Sequence, residues 1–163
     1  MTAQATEILH YKGQELDLAG EPLELFLTNS SWKPPFTNLS TACWRGYIGE
    51  WSIDQGRLYL TGIHDPDLRQ SVNLAKVFAG SKGRVFAHWV TGEYRCPMGK
   101  RLEYVHMGYA SLHEQDLFLT FKQGELVSER IVENGRSDDP NAPGRYGPGA
   151  WVRFNSPESK HSE

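Results

Sequence analysis

Cysteine is scarce and scattered: the chain carries two, Cys43 and Cys96, in 163 residues. No Cys-x-x-Cys pair occurs, so the chain spells neither a zinc ribbon nor a dithiol redox centre. Both residues sit in strand-like runs, where free cysteine behaves as a small hydrophobe. The expectation is a fold held together without disulfide or metal. Long hydrophobic runs are missing as well. No stretch approaches the roughly 20 apolar residues of a membrane-crossing helix. The segment Met1-Thr2-Ala3-Gln4-Ala5-Thr6-Glu7 has neither a basic region nor an apolar core. No export leader is expected, and the cytoplasm is the default compartment. Positive charge is not in excess either. The formal net charge is −3 and the pI is near 6.1, which argues against a general nucleic-acid binder. Gly144-Arg145-Tyr146-Gly147-Pro148-Gly149 is rich in glycine but lacks the Lys-Ser/Thr pair and following helix of a phosphate loop. There is no Gly-x-Ser-x-Gly elbow. No cofactor is expected.

What the chain does have is aromatic side chains, 5 Trp, 7 Tyr and 7 Phe, a composition that favours strands over helices. The length suits one domain with a core of its own. The expected organisation is a single β-rich domain over 1–154 and a mobile C-terminal tail over 155–163. Its fold class is mainly β: an antiparallel sheet of hairpins, either a sandwich or a partly open barrel. At most one or two short helices are expected: Ser71–Phe78 reads as one or two helical turns, and Leu23–Leu27 as either a short helix or a strand.

Four glycine-centred turns punctuate the sequence, at Lys12-Gly13, Gln55-Gly56, Pro97-Met98-Gly99 and Gln123-Gly124. Glycine supplies the positive φ of tight hairpins. Around Gln55-Gly56, Ile53 faces Leu58, Ser52 faces Tyr59, Trp51 faces Leu60 and Glu50 faces Thr61, which separates apolar from polar sets. Around Pro97–Gly99, Tyr94 would face Leu102, Gly92 Tyr104, and Val90 His106. That register places His88 and His106 on one face with Tyr94 and Tyr104. The stretches Gly135–Gly149 and Thr28–Ser40 read as irregular, the latter carrying Trp32 and Phe36 in an exposed loop.

The densest segment is Ser40–Trp51, read as one strand on which Arg45, Tyr47 and Trp51 share a face. A guanidinium there can stack on a ring and bind an anion, or simply brace core aromatics. Arg45, Tyr47, Tyr94 and Tyr104 are therefore the candidate ligand-binding residues. Glu50, His88 and His106 are the candidate catalytic set if the protein is an enzyme, since a carboxylate and two imidazoles can move protons. Two histidines alone are too few for zinc. His64-Asp65-Pro66-Asp67 and His113-Glu114-Gln115-Asp116 read as loops without a calcium-loop or zincin spacing, so no metal site is assigned.

Ser40-Thr41, Trp44-Arg45-Gly46-Tyr47, Trp51, Leu58-Tyr59-Leu60, Phe86-Ala87, Trp89, Gly92, Tyr104 and His106-Met107-Gly108-Tyr109 together resemble a family of small bacterial proteins with a Ser-Thr-x-x-Trp-Arg-Gly-Tyr strand motif. The likeness spans about Ser40 to Glu133. It implies an association with toxin systems and supplies no catalytic residue. The expected function is a non-enzymatic protein-binding domain, an immunity protein that neutralises a cognate bacterial toxin and contacts it through Trp32 and Phe36. The alternatives are a small hydrolase-like enzyme, or a small-ligand module, with a pocket around Arg45, His88 and His106. The expected partner is a protein, with no nucleic acid and no membrane, and the chain is expected to be a monomer.

Overall fold

The computed structural model describes residues 3–38, 40–104 and 107–134. The expected domain end at 154, the tail at 155–163, the loop at 135–149 and His106 all lie outside the described residues.

Three dipeptides of the form X-Gly build the fold locally. Lys12 and Gly13 have φ of 53° and 74°, Gln55 and Gly56 have 50° and 75°, and Gln123 and Gly124 have 50° and 82°. Two successive left-handed residues make a turn whose twist matches that of the flanking strands. These turns join β1 (Glu7–Tyr11) to β2 (Gln14–Leu18), β3 (Ile48–Asp54) to β4 (Arg57–His64), and β7 (Leu112–Lys122) to β8 (Glu125–Glu133). The short β5 (Val85–Phe86) pairs with β4, and β6 (Gly92–Glu103) pairs with β7. The protein is thus mainly β, one eight-stranded sheet in the order β2-β1-β3-β4-β8-β7-β6 with β5 beside β4. Among the described residues the named strands all pair antiparallel except β1 with β3.

The two ends of that order come back together. Ala19, just beyond β2, donates its N–H to Arg95 O on β6 at 2.8 Å. On the opposite side β4 and β8 meet through the tips of their hairpins, where Leu58 N–H donates to Gly124 O and Leu126 N–H to Gly56 O, each at 2.8 Å. The sheet therefore curls into a partly open barrel. One apolar cluster fills it, drawing Leu9, Leu18, Trp51, Leu60, Cys96, Leu119 and Phe121 from six strands. The helix α1 (Glu24–Leu27) and a 3-10 turn at Leu74–Lys76 are the helical pieces among the described residues. They bring Phe26 and Phe78 against Trp89, with ring centroids 4.4–5.6 Å apart. No helix among the described residues is long and apolar enough to cross a membrane.

Several local expectations are corrected. Pro97–Gly99 is not a hairpin: β6 runs straight through it, with Gly92 opposite Phe121 and Tyr94 opposite Leu119. The positive φ of Gly99, 78°, serves a bulge where the register slips between Met98 and Arg101. Glu50 lies opposite Gly62 rather than Thr61, because a bulge separates it from Trp51, while Trp51–Leu60, Ser52–Tyr59 and Ile53–Leu58 pair as expected. Residues 40–47 form successive turns, and the strand begins only at Ile48. His113–Asp116 is part of β7, not a loop. His88 is exposed in a turn rather than half-buried on a strand. Trp32 and Phe36 are partly buried against the core rather than exposed.

Candidate functional site

The parallel pairing of β1 with β3 decides where the polar chemistry goes, because it brings Glu7 and His10 beside Gly49–Ser52. Glu7 is fully buried. Its Oε2 accepts from Arg45 Nε at 3.0 Å, Arg45 Nη2 at 2.8 Å and Gly49 N–H at 2.7 Å, and its Oε1 accepts from Trp51 Nε1 at 3.1 Å. Burial pushes the Glu7 carboxyl up from its ordinary value, and the Arg45 charge with these donors pulls it back. The Arg45 side chain is 3 % exposed. Its Nη1 donates to Tyr109 Oη at 3.3 Å, and the guanidinium lies 5.6 Å from the Tyr47 ring. Tyr47 is itself buried and donates to Glu24 Oε1 at 2.9 Å. The structure thus brings Arg45 and Trp51 onto one buried carboxylate, Glu7, with the Tyr47 ring beside the guanidinium and its hydroxyl satisfied by Glu24. This hub anchors the 40–47 turns to the barrel wall.

Glu50 points to the other surface. His10 Nε2 lies 2.7 Å from its Oε2, and His64 Nε2 lies 2.7 Å from its Oε1. His64 Nδ1 lies 2.8 Å from Ser71 Oγ. Burial works to raise the Glu50 carboxyl, but the hydrogen bonds and charges of His64 and His10 outweigh it and hold the group below its ordinary value. Gly62 makes this arrangement possible, since a Cβ there would come 2.7 Å from His64 Nε2. The two imidazoles engage different oxygens, and among the described residues no group of His, Cys, Asp and Glu could hold a metal ion.

A third constellation lies at the seam where β2 meets β6. Arg95 pins it, donating to Asp116 Oδ1 at 2.8 Å, Tyr109 O at 2.6 Å and Ser111 O at 2.7 Å. Asp116 is fully buried and accepts from Asn134 Nδ2 at 2.9 Å on its other oxygen. Next to this anchor is a cavity of about 150 Å³ bordered by Ala3, Gln4, Arg95, Arg101, Tyr104 and Tyr109. At the same end of the barrel, Trp44, Tyr104 and Met107 are 59 %, 39 % and 51 % exposed. Gln4 ties their segments together: its N–H donates to Gly108 O at 2.8 Å, and its Oε1 accepts from Trp44 N–H at 2.9 Å. Arg101 lies over the Tyr104 ring at 4.7 Å. Along the seam a larger cleft of about 440 Å³ opens between Gln14–Asp17 and Pro97–Gly99. The two cavities share Pro97 and His113. Burial and the Arg95 charge lower the His113 pKa, so its ring is neutral at neutral pH. Its Nδ1 is buried without a hydrogen bond of normal geometry, although the Ser111 backbone favours the protonated form. Cys96 is held as an inert thiol, burial and the Asp17 and Asp116 charges pushing it up to about 12.

Tyr104 is the candidate of the sequence reading that falls at this seam. Tyr94 packs on Phe121 at 6.2 Å between ring centroids, and His88 sits edge-on to Trp89 at 5.5 Å, so neither joins Arg45. Sequence reasoning missed His10 as the partner of Glu50, Glu7 as the partner of Arg45, and Trp44 and Met107 as exposed residues. Only Gly49 and Gly62, glycines inside strands, signalled that something bulky must pass close to the backbone. No family model matches the chain, and comparison with curated proteins and with solved structures found no match.

Proposed function

We propose that this domain is a non-enzymatic protein-binding module whose contact surface is the barrel end bearing Trp44, Tyr104 and Met107. The carrying observation is that these three large side chains stand exposed on segments braced by Gln4 and Arg95. Trp, Tyr, Met and Arg are the residues enriched at interface centres, and a braced anchor loses little entropy on docking. The partner class implied by the sequence resemblance is a bacterial toxin, which makes the domain a monomeric, cytoplasmic immunity protein. The test is growth rescue on co-expression with the product of the neighbouring gene, joined to affinity measurement. Trp44→Ala and Met107→Ala should each weaken binding about 30-fold, the scale of a hot-spot truncation. Both should melt within about 2 °C of the parent, as surface changes do. Trp44→Ala and Met107→Ala variants that bind like the parent would overturn the reading.

A second reading has its own observation. Ser71 Oγ, His64 and Glu50 stand in the order nucleophile, base and carboxylate, with spacings of 2.8 and 2.7 Å. This favours a hydrolase built on Glu50, with His64 in the place expected for His88 or His106. A fluorophosphonate probe that labels Ser71 stoichiometrically, and fails on His64→Ala, would move the function there.

A further inference from the structure

We infer that the cavity of about 150 Å³ bordered by Arg101, Tyr104 and Gly108 receives one carboxylate of the protein partner, with Arg101 as its counter-charge. The inference rests on the protein-binding reading and names the chemical group that the partner inserts.

Register brings Arg101 to this place. On β6 it lies opposite His113 of β7, and opposite residues share a face, so both side chains reach the cavity that both line. The β6–β7 register slips on each side of this pair, between Met98 and Arg101 and between Arg101 and Glu103. Irregularities of this kind re-aim a side chain at the rim of a barrel. The Arg101 guanidinium comes to rest over the Tyr104 ring, 4.7 Å from its centroid. A ring face steadies a guanidinium while its N–H groups stay open at the edge. Arg101 is exposed, and among the described residues no carboxylate pairs with it.

The rest of the lining decides the charge and size of the guest. Arg95 also borders the cavity, but Asp116 and two carbonyls take its N–H groups, and Asp116 cancels its charge. His113 is neutral at neutral pH, because burial and the Arg95 charge lower its pKa. Among the described residues no aspartate or glutamate lines the cavity. One uncompensated cation calls for one negative charge, which suits a carboxylate better than a phosphate dianion. The volume equals that of about five waters. It takes the carboxylate and methylenes of an acidic side chain, or a chain end, and is too small for a drug-sized ligand, which needs roughly 300 Å³ or more. The walls are pinned before anything binds: Gln4 N–H donates to Gly108 O at 2.8 Å, and Arg95 Nη1 to Tyr109 O at 2.6 Å. Tyr104, part of the proposed contact surface, is one wall, and Gly108 directly follows Met107. A partner docked there without an anion would cover the Arg101 charge uncompensated, which is costly.

The test titrates the full chain, isotopically labelled, with the α-amide of N-acetylglutamate, the α-amide of N-acetylglutamine, N-acetylalanine and inorganic phosphate. The glutamate probe carries a side-chain carboxylate, the alanine probe a chain-terminal one, and the glutamine probe is the neutral isostere. At least one of the two acids should bind with a Kd of about 1 mM, roughly tenfold or more tighter than the glutamine probe. It should shift the amide signals of Arg101, Gly108 and Ser111. The tighter acid tells whether the partner supplies an acidic side chain or a chain end. Arg101→Met should weaken that binding about tenfold and melt within about 2 °C of the parent. Arg101→Lys should restore it only in part, because lysine lacks the planar fork. Arg84→Met removes an exposed arginine paired with Asp54 and should leave probe binding unchanged. With the partner itself, Arg101→Met should cost about tenfold in affinity. Acids that bind no better than the glutamine probe, phosphate that binds more tightly than either acid, or acid binding that survives Arg101→Met would each overturn the inference. If Trp44→Ala and Met107→Ala weaken the partner and Arg101→Met does not, this inference falls and the protein-binding reading stands. If the acid probe depends on Arg101 yet none of the three variants weakens the partner, the proposed contact surface falls, and the assignment of the carboxylate to the partner falls with it.

Discussion

Replacing Arg45 by methionine removes the cation that, among the described residues, pairs with Glu7 and leaves a carboxylate buried inside the barrel wall. In the parent, burial raises the Glu7 carboxyl and Arg45 opposes that rise. Without the guanidinium, burial acts with only Gly49 N–H and Trp51 Nε1 against it, so the folded-state value climbs further above the unfolded one, near 4.5. A group whose folded pKa is raised contributes stability that is fully present below its unfolded pKa and is lost as pH rises through the folded pKa. The deficit of Arg45→Met should therefore be largest at pH 8, where breaking a buried pair costs about 3–5 kcal/mol. It should shrink on acidification towards pH 5, by at most about 1.4 kcal/mol per pH unit. For a chain of this length the pH 8 loss corresponds to roughly 6–20 °C in Tm. Arg45→Lys keeps the charge but not the fork that serves Glu7 and Tyr109 together. It should cost about 1.5–3 kcal/mol and add little pH dependence. Urea unfolding at pH 5 and pH 8 measures both. An Arg45→Met deficit that is equal at the two pH values, or smaller than that of Arg45→Lys at pH 8, would refute the reasoning.

Glu50 behaves with the opposite sign. Its carboxyl is held low by His64 and His10, so its contribution is present above about pH 4.5 and lost as pH falls through the lower folded value. Glu50→Gln should lose less than about 1 kcal/mol at pH 7 and converge with the parent under strong acid, as followed by denaturant midpoints across pH. The hairpin tips supply a matched pair. Gly124→Ala forces a side chain into φ +82° with its Cβ 2.6 Å from Ala87 O, whereas Gly13→Ala meets φ +74° with nothing within 4 Å. The first should cost about 2–4 kcal/mol and the second about 1–2 kcal/mol, and equal losses in thermal melts would mean that the Gly124 tip packs more loosely on Phe86 and Ala87 than this contact implies.

How much of this was legible beforehand divides along a physical line. The X-Gly turns are local, since two successive positive φ angles demand particular residues wherever they occur, and all three turns were readable. Face segregation fixed Trp51 opposite Leu60 for the same reason: one slipped residue would have turned the Trp51 side chain out of the core. Pro97-Met98-Gly99 misled because a glycine with positive φ serves a bulge as well as a turn, and only the partner strand decides which. The pairings that make the polar sites are long-range. Glu7 with Arg45 and His10 with Glu50 depend on β1 lying parallel to β3, which about 40 intervening residues do not advertise. Arg45 itself was readable as a residue needing a partner, because a guanidinium among core aromatics cannot stay unpaired. The seam is harder still, for it exists only once β2 and β6 are brought together by closure. Yet one trace of it is local. A strand that ends a sheet usually carries lysine, proline or a bulge against unwanted pairing. Gln14–Leu18 carries none of these, as suits a strand that β6 comes to lie beside when the barrel closes.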